Sequence, residues 1–492
     1  MAETAGIPPA EVLRKLSAYN EWWATGKVPD VLLKKFHRRD FYTVKENLNR
    51  NKITMLIGPR RVGKTVLIRQ LVGDLISNGT PPTHILYAKM DDYTIKSIPN
   101  PKIEAILDTY SQNILGVPLG KLASPAYVFF DEMQSVENWK QQMMDVYEKH
   151  HNIVFLVSGS SSPAMFKDEK GVLTGRYREQ LMLPMKFVDA INMHEQPDEM
   201  TLYDETGLAL RKSLKAAIET GRAADFYKAV VRAFSSLAHY EKQIKIYLNE
   251  YLIKGGYPEL YEKEKNLNWS ECGETLFNQL EAILSKDIVE VFGVRNPSKV
   301  LDLFQLIGSQ TAQIRKYSDM AQTLGIQKTD TLKDYISYLN QTYLIGIAEL
   351  YSRNVDTTKK SNKKLYVMDV GLRNVSLGVM LPKHADVDDM GKITETVMFD
   401  HCNRLKFNLN KALSAKPLYY WRQNGHEVDI VIPTETSPIP IEVKNRSKTD
   451  ATGVGVFMEK YKSPFGFIVS RDRLELKGKI IYMPLWLFLI MC

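Results

Sequence analysis

Gly58-Pro59-Arg60-Arg61-Val62-Gly63-Lys64-Thr65 decides how this chain is read. It follows the apolar run Ile53-Thr54-Met55-Leu56-Ile57 and leads into Val66-Leu67-Ile68-Arg69-Gln70-Leu71-Val72, which carries an apolar stripe at helical spacing. Strand, glycine-bounded loop and helix are the context that a G-x-x-x-x-G-K-[ST] phosphate loop requires. The loop's backbone N–H groups and the N-terminus of the following helix form an anion site suited to the phosphates of ATP or ADP. Lys64 is expected to reach the β- and γ-phosphates, and Thr65 to offer its hydroxyl to Mg²⁺.

A second segment works with the first. Tyr127-Val128-Phe129-Phe130 is a short apolar run that ends in Asp131-Glu132. Such a run reads as a buried parallel strand, and ligands bind at the C-terminal edge of open α/β sheets. Asp131 is expected in the Mg²⁺ shell, and Glu132 as the group that orients and deprotonates the attacking water. The pair predicts an ATPase, or at the least an ATP-binding switch.

The 492 residues are enough for about two to four domains, each with its own core. Composition is that of a globular protein, 44% hydrophobic and 25% charged. A net charge of +8 permits nucleic-acid binding without arguing for it. Cys272, Cys402 and Cys492 are far apart, which indicates neither a disulfide framework nor a cysteine zinc site. A reducing cytoplasm is the expected location, with no secretion signal. The apolar tail 483–491 contains Pro484 and is about half a membrane span, so it is expected to be a closing core strand or helix.

Residues 1–50 read as helical, with Val12, Leu13 and Leu16 on a buried face. Trp22-Trp23 and the basic patch Lys34-Lys35-Phe36-His37-Arg38-Arg39 follow. The patch reads either as a solvated helix face or as packing near the nucleotide base. Strands are expected at 84–89 and 153–157, and helices at 102–116 and 139–150. The second of these strands runs into Ser158-Gly159-Ser160-Ser161-Ser162, where Ser158 or Ser160 is a candidate γ-phosphate sensor and a plain turn is the other reading. Arg176, in Leu173-Thr174-Gly175-Arg176, reads as an arginine finger or as a surface arginine, and residues 179–184 look strand-like. Helical periodicity then dominates 208–251, up to Gly255-Gly256-Tyr257-Pro258. Between 300 and 350, Leu324-Gly325-Ile326 marks the turn of a helix-turn-helix, and 344–351 the start of a wing. Lys328 and Lys333 fall on or near its second helix, and such modules bind DNA or protein.

The last hundred residues hold another chemical set. Glu427-Val428-Asp429-Ile430-Val431-Ile432 and Ile439-Pro440-Ile441-Glu442-Val443-Lys444 read as a hairpin. Alternation puts Glu427 with Asp429, and Glu442 with Lys444, on single faces. Two carboxylates suit Mg²⁺ or Mn²⁺, and a lysine can activate water against a phosphodiester. Glu395, on an upstream helix, is the candidate third carboxylate. The plain alternative is a polar hairpin face with a salt bridge.

Together these residues resemble the bacterial and archaeal AAA+-type ATPases that join an N-terminal ATPase to a C-terminal domain of unknown function related to the PD-(D/E)xK nucleases. The resemblance spans nearly the whole chain. Besides the motifs above, it is carried by Phe130-Asp131-Glu132-Met133-Gln134, Gly255-Gly256-Tyr257-Pro258-Glu259, Leu365-Tyr366-Val367-Met368-Asp369-Val370-Gly371-Leu372 and Ile441-Glu442-Val443-Lys444. It implies a multidomain α/β protein: an N-terminal helical segment (1–49), a P-loop ATPase core (50–195), a helical lid or connector (196–298), a winged helix (299–370) and a restriction-endonuclease-like α/β domain (371–492). The nuclease pattern maps onto Glu395, Asp429, Glu442 and Lys444, with Val428 where the superfamily's name has proline. Relatives of this type form rings, so a homo-oligomer is implied, with Arg176 acting on a neighbour's nucleotide. The expected function is ATP-dependent DNA binding and processing. A nucleotide-dependent signalling switch, whose C-terminal fold only binds DNA or protein, is the rival; no membrane partner is expected.

Overall fold

A computed structural model of the chain describes residues 8–48, 52–160, 175–195, 201–262, 265–379, 387–409, 416–444 and 451–492. Ser161, Ser162, Leu173 and Thr174 from the sequence motifs lie outside the described residues. The chain divides into two compact units, Met1–Leu183 and Pro184–Cys492.

In the N-terminal unit, β1 (Ile53–Ile57), β2 (Ile85–Lys89), β3 (Ala126–Asp131), β4 (Ile153–Gly159) and β5 (Tyr177–Leu181) form one sheet in the order β2-β3-β4-β1-β5. Every pairing is parallel. β1 to β4 are almost wholly buried, as apolar strands covered by helices on both faces must be. β5 pairs from Tyr177 rather than from residue 179, and only half-buries its side chains.

The edge strand β2 is covered by side chains from the N-terminal segment. Asn20 donates to the Tyr87 carbonyl at 2.8 Å and accepts from the Tyr87 N–H at 2.7 Å. The indoles of Trp22 and Trp23 both donate to the Ile85 carbonyl, at 3.1 and 2.8 Å. An exposed edge invites pairing with another chain, and these three residues satisfy backbone groups that would offer it. The helix Pro9–Tyr19 buries Val12 and Leu16, with Leu13 half-buried.

Most of the basic patch is not a helix face: Lys34 to Arg38 precede the helix Arg39–Leu48 and lie outside any helix or strand. Gln70, on the helix Lys64–Ser77, donates to the carbonyls of Lys34 (2.7 Å) and Phe36 (2.9 Å).

The C-terminal unit contains the helices Leu202–Thr220, Ala223–Leu237 and Glu241–Lys254, followed by a second sheet. Its strands are β6 (Ile314–Arg315), β7 (Ile345–Leu350), β8 (Lys363–Val367), β9 (Leu418–Gln423), β10 (His426–Ile432), β11 (Ile439–Lys444), β12 (Gly466–Ser470), β13 (Glu475–Lys477) and β14 (Ile480–Pro484). They run in the order β13-β14-β12-β11-β10-β9-β7-β8-β6. The sheet therefore crosses residues 370 and 371 without a break, because β7 pairs in parallel with β9.

Two glycine motifs explain each other within this unit. Asp369 accepts from the N–H groups of Gly256 (2.7 Å) and Leu372 (3.0 Å). A Cβ on Gly255 would stand 2.3 Å from the Asp369 carboxylate, and one on Gly371 2.0 Å from the Lys254 carbonyl. The backbones meet where only glycine fits.

The apolar tail is the buried strand β14 and the buried helix Leu485–Met491. Among the described residues no helix is long and apolar enough to cross a membrane. Cys272, Cys402 and Cys492 are buried free thiols.

Candidate active site

The strand order sets three loops side by side. β4 lies between β3 and β1, with Phe130 beside Val157 and Leu56 beside Ser158, so Ser158 stands between Asp131 and the phosphate loop. Gly58 leaves β1 where a Cβ would fall 1.9 Å from the Met182 carbonyl, and Gly63 has φ +103°. Both positions of the motif thus need glycine for reasons of space or backbone. Lys64 is buried and donates to the carbonyls of Gly58 (2.7 Å) and Pro59 (2.8 Å).

Asp131, fully buried, is the hub. It accepts from Thr65 Oγ1 at 2.6 Å, from the Tyr87 hydroxyl at 2.9 Å and from the Ser158 hydroxyl. Ser158 also accepts from the Glu132 N–H at 3.3 Å. Glu132 sits at φ +58°, a costly conformation for a side-chain-bearing residue and one concentrated at functional sites. Its carboxylate accepts from Gln134 Nε2 at 2.5 Å, and the same amide donates to Ser160 at 3.0 Å. Burial lifts the Glu132 carboxyl above the usual glutamate range, and the nearby Lys64 ammonium opposes that rise. A raised carboxylate is a better general base than a solvated one.

Arg38 was only one cation of a basic patch in the sequence. It is buried, and its guanidinium donates to the Val62 carbonyl within the phosphate loop (3.0 Å) and to the Leu183 carbonyl (2.9 Å), with Asp40 at 3.2 Å. Arg176 lies elsewhere. Its carbonyl accepts from the Ile53 N–H, at the N-terminal edge of β1, and its side chain pairs with Glu148 at 3.0 Å on the surface. The length of β1, roughly 16 Å, separates that edge from the phosphate loop.

In the C-terminal unit, β10 and β11 form the expected antiparallel hairpin, with Ile430 opposite Ile441. Asp429 accepts from the Val443 N–H at 2.9 Å, and Lys444 pairs with Glu442. Glu395 lies on the helix Val387–Leu409. The cation beside Asp429 and Glu395 is Lys364 of β8. Its buried ammonium stands 3.0 Å from Glu427, 3.1 Å from Glu395 and 3.6 Å from Asp429. The Tyr366 hydroxyl donates to Glu395 at 2.7 Å. Burial and the nearby Asp429 push the Glu395 carboxyl up to about 7.

Of the metal set Glu395, Asp429 and Glu442 expected from sequence, Glu395 and Asp429 stand beside Lys364, and Glu442 pairs with Lys444. Among the described residues no group of three or more His, Cys, Asp or Glu side chains is placed to hold a metal. Divalent ions of this class take oxygens at about 2.0–2.6 Å, whereas Glu395 and Glu427 stand at hydrogen-bonding distance from an ammonium, with Asp429 at 3.6 Å. The residues as arranged do not fit Mg²⁺ or Mn²⁺.

Comparisons with known proteins bear on both units. An AAA domain matches residues 50–191, and two different domains of unknown function match residues 245–383 and 390–488. The N-terminal unit carries a P-loop ATPase. An uncharacterized protein of Methanocaldococcus jannaschii is 25% identical over 387 residues, covering 78% of this chain and 72% of the relative. An uncharacterized protein of Haemophilus influenzae is 21% identical over 332 residues, covering 66% and 69%. Among solved structures, the Walker-type ATPase of Pyrococcus abyssi aligns with 70% of this chain and 96% of its own, at 14% identity and a TM-score of 0.37.

The ATPase core fits Mg²⁺ at Thr65 and Asp131, whose hydroxyl and carboxylate oxygens already converge. When bound, that ion neutralises charge developing on the β- and γ-phosphates. Tyr87 and Gln134 hold Asp131 and Glu132; of the two only Gln134 stands in one of the sequence motifs, where it carries no assigned role. Tyr87 lay in a strand with no motif; Gln134 stood two residues past Glu132 and was the nearer signal.

Proposed function

We propose that this protein is an ATP-dependent DNA-binding protein in which hydrolysis by the ATPase core drives remodelling of DNA, or movement along it. Lys64 binds the β- and γ-phosphates, Thr65 and Asp131 hold the metal, Ser158 reports on the γ-phosphate, and Glu132 takes the proton of the attacking water. The observation that carries the DNA assignment is an element order typical of winged helices. Helix Pro297–Ser309, β6, helix Tyr317–Thr323, helix Thr329–Gln341, β7 and, after the short helix Val355–Lys360, β8 follow one another, with Gly325 at φ +63° in the turn.

One observation favours the rival reading, a nucleotide-driven switch with a protein-binding module. The exposed face of the helix Thr329–Gln341 carries Asp330 and Asp334, and its Lys333 is paired with Asp330 at 2.8 Å. Phosphate contact asks for the opposite charge.

The test is phosphate release and filter binding by the full chain with duplex, forked and four-way-junction DNA, at moderate salt with Mg²⁺. DNA-stimulated turnover, lost in Glu132→Gln while DNA is still bound, supports the proposal. Turnover indifferent to every DNA, with no DNA retained, replaces it with the switch. Arg176 stands at the end of β1 opposite the phosphate loop, so a finger role requires a second copy in a homo-oligomer. Arg176→Ala should then lower turnover without changing nucleotide affinity; unchanged turnover and unchanged mass by light scattering would remove the assignment.

A further inference from the structure

The C-terminal carboxylates carry their own cation, and its source lies in a different part of the sequence. Lys364 comes from β8, on the far side of β7 and β9 from the hairpin that supplies Glu427 and Asp429. Glu395 comes from the helix Val387–Leu409. Three segments therefore converge on a side chain that is 2% exposed. A lysine buried to that degree is stable as an ammonium only if oxygens replace its water. Here three carboxylates do so, and the Tyr420 ring lies 5.9 Å below the charge. The Tyr366 ring stacks on Phe399 with centroids 4.0 Å apart, and its hydroxyl in turn donates to the Glu395 carboxylate.

We infer that Lys364 is the resident cation of this set and takes the place that a divalent metal holds in a metal-dependent nuclease. An ammonium at about 3 Å and a divalent ion at about 2 Å from the same oxygens would repel each other strongly, so the two exclude one another. Lys364 offers no Lewis acid and no metal-bound water, and the set therefore holds the sheet together instead of cleaving a phosphodiester. It ties β8 to β10 and to the helix across the 370/371 junction. This inference stands on the C-terminal unit alone and does not depend on DNA being the partner.

The experiment is Mn²⁺ binding to the nucleotide-free full chain by isothermal titration, with thermal melting in parallel. Wild type and Asp429→Asn are expected to bind the same number of Mn²⁺ ions, and Lys364→Met to lower the melting temperature by roughly 10 °C, since it leaves three part-buried carboxylates without their cation. One Mn²⁺ fewer in Asp429→Asn than in wild type would overturn the inference, as would Lys364→Met melting like wild type. If Lys364→Met yields no folded protein, the metal comparison decides alone.

Discussion

Glu132 and Gln134 show what two residues of separation can do at a strand end. The amide of Gln134 donates to the Glu132 carboxylate and thereby favours its charged form, against the burial that raises its pKa. Gln134→Leu should move the acidic limb of the kcat–pH profile to higher pH, because the base would then hold its proton longer; KM for ATP should be little changed. An unmoved limb would show that the hydrogen bond does not tune the base. Glu132→Gln should cut kcat about 100-fold or more while a fluorescent ATP analogue still binds, since in the proposed function the phosphates go to the loop and Lys64 and only the water's proton to Glu132. Retained turnover would shift the base elsewhere. The phosphate loop, Asp131 and Glu132 were legible in sequence because each is a local pattern at a strand end. Arg38, Tyr87 and Lys364 were not, since their partners lie 24, 44 and 31 or more residues away.

At the scale of elements, short polar side chains do work that strands and motifs would otherwise leave undone. Asn20 pairs with the edge of β2 much as a neighbouring strand would, through both its donor and its acceptor. Asn20→Ala should cost about 1–3 kcal/mol in the N-terminal unit by urea denaturation, because a buried N–H and C=O lose their partner. A change within error would mean that water replaces the side chain. Asp369 does similar work between the two glycine motifs, and burial pushes its carboxyl up to about 6 from an ordinary value of 3.8. A folded-state pKa above the unfolded one means that the contribution is fully present below about pH 4 and is lost as pH rises through 6. Wild type should therefore lose about 3 kcal/mol relative to Asp369→Asn between pH 4 and pH 7, a shift of order two pKa units. Parallel stability curves for the two proteins would contradict this.

For the whole molecule, the division that matters falls at Leu183 and Pro184. A fragment 1–183 keeps the complete five-stranded sheet and every residue around Asp131 described above, so it should fold and bind ATP. A fragment 371–492 should not fold. It removes β7 from the edge of β9 and Lys364 from its carboxylates, leaving an unpaired strand and part-buried acidic groups without their cation. Circular dichroism and amide exchange on both fragments would test this; a cooperatively folded 371–492 would show that the hairpin domain stands without β6, β7 and β8.

The sequence by itself determined the phosphate-loop context: a glycine-bounded loop between an apolar strand and a helix offers an anion backbone N–H groups and a helix terminus. It also determined the β10–β11 hairpin, whose alternation faces one way regardless of context. Tertiary structure alone decided which cation meets Asp429 and Glu395. Lys444 and Lys364 both follow a residue pattern compatible with a strand, and nothing local distinguishes them. The pairing of β7 with β9 brings the buried Lys364 to these part-buried carboxylates, and the ammonium nearest in space, not in sequence, balances the charge.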